Sequence, residues 1–202
     1  MIRNIIFDVG KVLVSFEPEE YMKQLGFDEQ EQIAVNQAMF QNQIWIEADR
    51  GALTPEESLD AYIAEAPEYE EQIRKAHENV GDTVELLPYV MEWLTELKER
   101  GYRIYILSNY GEHLFNQTKE KMEFLKLTEG AVFSYKCKML KPEKEIYEFL
   151  RNEFELNLEE CVFLDDRQEN IEAAKAAGIQ GIWFQNYRQA KKKLDELLSF
   201  QK

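Results

Sequence analysis

Cysteine and long apolar runs are both scarce in this sequence. The 202 residues include two cysteines, Cys137 and Cys161, whose spacing matches no metal-binding pattern. No run approaches the roughly 18 apolar residues of a membrane-spanning helix, and the first residues lack the charged-then-apolar pattern of a secretory signal. We therefore expect reduced thiols, a cytoplasmic protein and no membrane partner.

Positive charge is also in short supply. Lysine and arginine number 24 against 39 aspartates and glutamates, which gives a formal net charge of −15. Such a field repels a polyanion, so we expect no nucleic-acid partner. A small anionic substrate is compatible with it if a local basic group meets the anion. The hydrophobic content of 45% and the aromatic content of 12% are typical of a globular protein.

The first apolar stretch predicts a buried strand that ends at a carboxylate. Ile5, Ile6 and Phe7 form a continuous apolar run, as in strands buried on both faces of a parallel sheet. Asp8 follows, and Gly10 would let the backbone turn back on itself. Open α/β sheets bind their ligands at the carboxyl ends of such strands. Asp8 is therefore either a ligand-site carboxylate or a simple turn cap.

Strand patterns are missing from residues 17–85. This acidic segment carries helix-start signals at Pro18, Asp28 and Thr54. Several helices between two strands exceed what one crossover connection needs. We predict a separate helical domain over 17–85, inserted into a core of residues 1–16 and 86–202. The alternative is that these helices cover one face of the sheet.

From residue 86 onward, helix and strand patterns alternate. Apolar strand-like runs at 102–107, 131–134, 161–164 and 181–184 are separated by amphipathic helical segments. This alternation predicts an α/β fold with a doubly wound, Rossmann-like parallel sheet.

Polar groups follow several predicted strands directly. Parallel strands share a carboxyl edge, so these groups can converge there; they are Asp8, Ser108, Asn109, Asp165 and Asp166. Three carboxylates repel one another unless a cation lies among them, and oxygen ligands favour Mg²⁺. Lys141, before a predicted helix, could hold an anion beside the metal. A carboxylate, a hard metal and an anion site together suit phosphoryl transfer, although each group alone could be a helix cap or a solvated side chain.

These motifs resemble those of the haloacid dehalogenase superfamily, over nearly the whole chain. More narrowly, the sequence is similar to bacterial α-D-glucose-1-phosphate phosphatases and to the phosphatase domain of soluble epoxide hydrolases. The matching segments are 7–12, 107–109, 141–143 with Ile146 and Tyr147, 163–166 with Asn170, and 50–54 in the helical region.

The resemblance implies a role for each matched residue. Asp8 would attack phosphorus and carry an aspartyl-phosphate intermediate. Mg²⁺ would be held by the side chains of Asp8 and Asp166 and by the carbonyl of Gly10, with Asp165 a less direct partner. Residues 17–85 would form a cap over the crevice, where a small phosphorylated metabolite binds. The remaining roles are phosphate binding by Ser108 and the amide of Asn109, charge compensation by Lys141 and indirect support by Asn170.

One departure from the family pattern concerns the proton donor. Most phosphatases of the superfamily carry a second Asp two positions after the nucleophile, where this chain has Gly10, and Lys11 replaces the usual glycine. The glucose-1-phosphate branch tolerates glycine at the first of these positions. The leaving-group proton would then come from another group, and the sequence leaves several open: Asp165, His113, His77, Arg50 or water.

Three functions fit these residues to different degrees. The first is a Mg²⁺-dependent phosphatase for a small phosphate monoester, such as a sugar phosphate of the glucose 1-phosphate type. The second is a 2-haloacid dehalogenase, a class that also lacks the second Asp but works without a metal and does not usually carry the Asp165–Asp166 pair. The third is a phosphate-binding domain without turnover, for which a retained Asp8 would be unnecessary. Neither the substrate nor the oligomeric state follows from the sequence.

Overall fold

A five-stranded parallel sheet forms the centre of the computed structural model, which describes residues 1–199; the last three residues of the predicted core, 200–202, lie outside this range. The strand order is β3-β2-β1-β4-β5. The strands are β1 (Asn4–Phe7), β2 (Arg103–Ser108), β3 (Gly130–Phe133), β4 (Cys161–Asp165) and β5 (Gln180–Trp183).

The first strand is buried on both faces, as predicted from its unbroken apolar run. It lies between β2 and β4, with Ile5 paired to Ile104 on one side and to Val162 on the other. Ile5 and Phe7 belong to the apolar core on one face of the sheet, and Ile6 belongs to the core on the opposite face.

Helices cover both faces of the sheet and complete the predicted doubly wound architecture. The first face packs against α6 (Val90–Glu99), α7 (Glu112–Thr118) and α11 (Tyr187–Ser199). The second packs against α9 (Lys144–Glu153) and α10 (Gln168–Ala176), and a single helical turn, α8 (Ser134–Cys137), follows β3. None of the helices described over residues 1–199 combines the length and apolar character needed to cross a membrane.

The segment between β1 and α6, residues 17–85, is called the helical insert below. Its α-helices are α1 (Pro18–Gln24), α2 (Glu29–Val35), α3 (Gln43–Arg50), α4 (Pro55–Glu65) and α5 (Glu70–Glu78), with a π-helical turn at Asn36–Phe40. Capping boxes at Asp28 and Thr54 open α2 and α4, as the sequence predicts. The insert has its own apolar cluster, built around Tyr21, Met39, Tyr62 and Ile73.

The chain enters and leaves the helical insert at adjacent points. Ser15 N donates to Glu85 O at 2.8 Å, and Glu17 N donates to Thr83 O at 2.9 Å. The two connections therefore run side by side and in opposite directions. This pairing lies at the predicted boundaries, while the division into two domains stays a prediction.

Candidate active site

A crevice of about 710 Å³ lies between the carboxyl edge of the sheet and the helical insert. The strand order reverses direction between β1 and β4, which is where open α/β sheets bind ligands. The ends of three neighbouring strands supply its floor. Asp8 follows β1, Asn109 follows β2, and Asp166 follows β4, and all three line the crevice.

Asp8 is held by three groups through one of its two carboxylate oxygens. Oδ1 accepts hydrogen bonds from Val9 N at 2.7 Å and Ser108 Oγ at 2.8 Å, and it pairs with Lys141 Nζ at 2.8 Å. No hydrogen bond from the described residues reaches Oδ2. Burial raises the pKa of Asp8 from 3.8 to about 6; Lys141 opposes this rise and Asp165 adds to it.

Lys141 lies buried between two carboxylates. Its side chain is 1% exposed, and Nζ is 2.8 Å from Asp8 Oδ1 and 2.7 Å from Asp165 Oδ2. These two charges raise the pKa of Lys141 against the effect of burial. Asn109 fixes the backbone of Lys141 in both directions, since Asn109 Oδ1 accepts from Lys141 N at 2.8 Å and Asn109 Nδ2 donates to Lys141 O at 3.0 Å. The sequence did not predict this anchoring role for the Asn109 side chain.

The two neighbouring aspartates at the end of β4 differ in how many hydrogen bonds their carboxylate oxygens accept. Asp165 is fully buried and accepts four hydrogen bonds. One comes from Lys141 Nζ, one from Arg167 N, and two from Asn170 Nδ2, which contacts both carboxylate oxygens. Together they fill the capacity of a carboxylate. Asp166 is partly exposed and lines the crevice. Carboxylate oxygens of Asp8, Asp165 and Asp166 lie within 4.8 Å of one another, an oxygen donor set that fits Mg²⁺.

The turn after Asp8 corrects one expectation. We expected Gly10 to supply the backbone reversal, and this is wrong, because the residue with positive φ is Lys11, at 58°. The turn is closed by hydrogen bonds from Leu13 N and Val14 N to Val9 O. A Cβ atom at Gly10 would meet nothing within 4 Å. Position 10 therefore has room for a side chain, and the absence of a carboxylate there is not a steric requirement.

The opposite wall of the crevice comes mainly from the helical insert. Phe16, Phe40 and Trp45 form an aromatic cluster with ring centroids 5.1 to 6.1 Å apart, and all three line the crevice. Asp49 lies one helical turn after Trp45 on α3, on the same face, and also lines the crevice.

The end of α3 is attached to the core at three consecutive residues. Ser134 Oγ donates to Asp49 O at 2.5 Å. Arg50 makes a two-pronged contact with Glu143, at 2.6 and 2.9 Å. Gly51 has a φ of 71° and lies close to Tyr135, the residue after Ser134. A Cβ atom at position 51 would be 2.5 Å from Tyr135 O. This geometry explains the Arg50–Gly51 motif, because no other residue type fits position 51 without displacement.

Asp49 is a residue of the crevice that was not predicted from the sequence. Burial raises its pKa from 3.8 to about 7; the Gly111 amide, the Trp45 indole and Lys141 oppose the rise, and the charge of Asp8 adds to it. The available signal was its place directly before Arg50–Gly51. Helix periodicity puts Asp49 on the face of Trp45, but only the fold turns that face toward Asp8.

His77 and His113 lie outside the crevice. Their rings stack at a centroid distance of 4.0 Å beside a separate cavity of about 30 Å³. His113 Nε2 is 2.9 Å from both His77 O and Gln117 Nε2. Burial, with His113 adding to it, lowers the pKa of His77 to about 4.

Comparison with known proteins assigns the family. The family description of haloacid dehalogenase-like hydrolases matches residues 2–178. The chain is 25% identical to the sesquiterpene phosphatase of Aspergillus oryzae over 181 residues, covering 88% of this chain and 87% of that protein. It is 23% identical to flavin mononucleotide hydrolase 1 of Arabidopsis thaliana, covering 76% and 62%.

A solved structure of similar fold was determined with ligands. A haloacid dehalogenase family enzyme of Bacteroides thetaiotaomicron, in complex with magnesium and inorganic phosphate, is 25% identical. The match covers 90% of this chain and 93% of that chain, with a TM-score of 0.71.

Proposed function

Because the chain belongs to the haloacid dehalogenase-like hydrolases, we propose that it is a Mg²⁺-dependent phosphatase acting on a small phosphate monoester. The observation that carries this proposal is the hydrogen bonding of the Asp8 carboxylate. Its Oδ1 is fixed by Ser108, Val9 and Lys141, and its Oδ2 is left without a donor at the crevice. A carboxylate held in this way is oriented for attack on phosphorus.

The acidic cluster supplies the proposed metal site. Asp8, Asp166 and the carbonyl of Gly10 would hold Mg²⁺, and the clustered carboxylate oxygens of this site support the assignment. Asp165 would act on the metal indirectly, since its four hydrogen bonds occupy both oxygens. When bound, the ion would neutralise charge on the phosphoryl oxygens.

The remaining residues orient the phosphoryl group. Ser108 Oγ, which is 2.8 Å from Asp8 Oδ1, would turn its proton toward a phosphate oxygen. The Asn109 amide would bind a second oxygen. Lys141 would offset the negative charge of Asp8 and of the phosphate as they approach each other. Asp8 Oδ2 would then form the bond to phosphorus as the bond from phosphorus to the ester oxygen breaks, which gives an aspartyl-phosphate intermediate that water hydrolyses.

The helical insert is proposed to act as a cap that contacts the leaving group. The wall facing Asp8 combines the aromatic cluster with the amide side chains of Gln41, Asn42 and Gln43. Aromatic faces and hydrogen-bonding amides suit a ring bearing hydroxyl groups. A sugar phosphate such as glucose 1-phosphate is therefore the substrate class we propose, and the sesquiterpene phosphatase relative motivates prenyl phosphates as the comparison class.

Assays with purified protein distinguish this function from the alternatives. We expect hydrolysis of p-nitrophenyl phosphate that stops with chelator and returns with Mg²⁺. Full activity in chelator, or halide release from 2-chloropropionate, would favour the dehalogenase. Phosphate binding without turnover would favour the non-catalytic domain. If the protein is a phosphatase, the ratio of kcat/KM for glucose 1-phosphate to kcat/KM for a prenyl phosphate decides the substrate class.

A further inference from the structure

The proposed reaction needs a proton for the leaving oxygen, and Gly10 cannot supply it. Two of the other groups considered are already committed. Arg50 is a permanent cation whose ion pair with Glu143 raises its pKa further. Asp165 is buried, both of its oxygens accept hydrogen bonds, and it is not among the residues that line the crevice.

The histidines are poorly placed for the same task. Neither His77 nor His113 lines the crevice that contains Asp8. They lie beside the small side cavity, and His113 Nε2 is occupied by His77 O and Gln117. Asp49 lies between the two spaces, because it lines both the side cavity and the crevice.

Contacts of the backbone fix Asp49 on the helical-insert side of the crevice. Its backbone carbonyl accepts a hydrogen bond from Ser134 Oγ, which in turn accepts one from Tyr110 N at 2.8 Å. The next two residues, Arg50 and Gly51, fix the end of α3 against the core. Asp49 and Asp8 line the same crevice, so an acid at position 49 shares the space in which the ester would bind.

We propose that Asp49 is the general acid and base of this enzyme, supplied by the helical insert in place of the carboxylate that Gly10 lacks. This proposal rests on the phosphatase function proposed above. It makes the insert a part of the catalytic site as well as a wall of the crevice.

The proton balance runs through both half-reactions. In the first, Asp8 Oδ2 bonds to phosphorus, the bond from phosphorus to the ester oxygen breaks, and the Asp49 carboxyl proton passes to that oxygen, so that the alcohol leaves. In the second, water bonds to phosphorus, its proton passes to the Asp49 carboxylate, and the bond to Asp8 breaks. Phosphate is released, and both carboxyl groups return to their starting states.

The surroundings of Asp49 favour the protonated form near neutral pH. Burial is the main cause of a pKa of about 7, and Asp8 adds to it, whereas Gly111, Trp45 and Lys141 oppose it. A donor with a pKa near the working pH is effective for general acid catalysis. The other titratable groups facing Asp49 from adjoining elements are Tyr62, Tyr110, His77, Glu112 and His113.

The first test measures Asp49→Asn against esters graded by leaving-group acidity. For an alkyl ester such as glycerol phosphate, kcat/KM should fall by about 10²–10⁴-fold, the contribution of a positioned acid. For p-nitrophenyl phosphate, whose leaving group needs no proton, the fall should stay below about tenfold. Retained activity on that ester also shows that the variant is folded. Glu47→Gln, the same chemical change on the same helix, is the control and should alter neither ester.

Two further measurements separate proton transfer from a structural role. In the unmodified enzyme, kcat/KM for the alkyl ester should fall as pH rises through about 7, because the donor loses its proton. This limb should be missing in Asp49→Asn. Adding Gly10→Asp to that variant should restore alkyl ester hydrolysis, since position 10 has room for a side chain.

The outcomes are distinct. An equal loss on all esters, or an unchanged pH limb in Asp49→Asn, would overturn the role of Asp49 while the phosphatase function stands. If the unmodified enzyme hydrolyses no phosphate ester with Mg²⁺, both proposals fail together.

Discussion

The two sides of the crevice are built in different ways. On the sheet side, Asp8, Lys141 and Asp165 are at most 7% exposed and are joined by ion pairs of 2.7 to 2.8 Å. On the insert side, Trp45 and Asp49 are partly exposed, and the hydrogen bonds from Ser134 to Asp49 O and from Arg50 to Glu143 attach the end of α3 to the core. The proposed nucleophile is thus fixed by the core, whereas the groups proposed to contact the leaving group depend on how the insert is attached.

The largest expected effect tests the sheet side directly. Asp8→Asn should lower kcat/KM for p-nitrophenyl phosphate by at least about 10⁴-fold, because an amide is neither a nucleophile nor an anionic ligand. A urea unfolding curve close to that of the unmodified protein would show that the fold is retained. More than trace activity in a pure preparation would contradict the aspartyl-phosphate mechanism.

The next effect concerns the stability of the buried charges. Asp165→Asn should lower the free energy of unfolding by about 3–5 kcal/mol, because it leaves Lys141 with one buried partner in place of two. Asp166→Asn is the matched control at the next residue. It should cost under about 1 kcal/mol, since the side chain is partly exposed, but should raise the Mg²⁺ concentration needed for half-maximal activity. Equal losses in the free energy of unfolding for the two variants would mean that Asp165 and Asp166 do not differ in their contribution to stability.

On the insert side, a comparison of two glycine variants measures how much the contact of Gly51 with the core contributes to the docking of α3. Gly51→Ala should cost about 2–4 kcal/mol, from a positive φ and from a Cβ atom 2.5 Å from Tyr135 O. Gly26→Ala has a comparable φ of 81° with nothing near its Cβ and should cost about 1 kcal/mol. We also expect Gly51→Ala alone to lower kcat/KM for alkyl esters. Identical behaviour of the two variants would show that the contact with Tyr135 does not hold the insert.

The smallest effect is that of the Arg50–Glu143 ion pair. Its partners are 29% and 37% exposed, so water screens the interaction. A double-mutant cycle with Arg50→Gln and Glu143→Gln should give a coupling energy of about 0.2–1 kcal/mol in urea unfolding. A coupling above about 2 kcal/mol would mean that this pair behaves like the buried ion pairs on the sheet side of the crevice.

The sequence predicted the sheet side well because its signals are local. An unbroken apolar strand followed by a polar residue marks the carboxyl edge of a parallel sheet, and this rule located Asp8, Ser108, Asp165 and Asp166. Capping boxes located the starts of α2 and α4 for the same reason. Local pattern failed at Gly10, where the neighbouring Lys11 adopts the positive φ.

Asp49 could not be found in this way, because its role depends on long-range packing. Its place directly before Arg50–Gly51 is a local signal, but that signal does not show that the side chain reaches the crevice. The contact of Gly51 with Tyr135 and the hydrogen bond from Ser134 join parts of the chain more than 80 residues apart. The Gly111 amide and the charge of Asp8, which also change the pKa of Asp49, are far from it in the sequence as well.

The adjacent entry and exit of the helical insert have a consequence for how such proteins diversify. Since Ser15 N donates to Glu85 O, the core closes on itself whatever length of chain lies between them. Segments inserted between neighbouring points disturb a fold least. The intervening helices can therefore be exchanged while the strand order is kept, so that the proposed acid and the surface proposed to select the alcohol would be replaced as one unit.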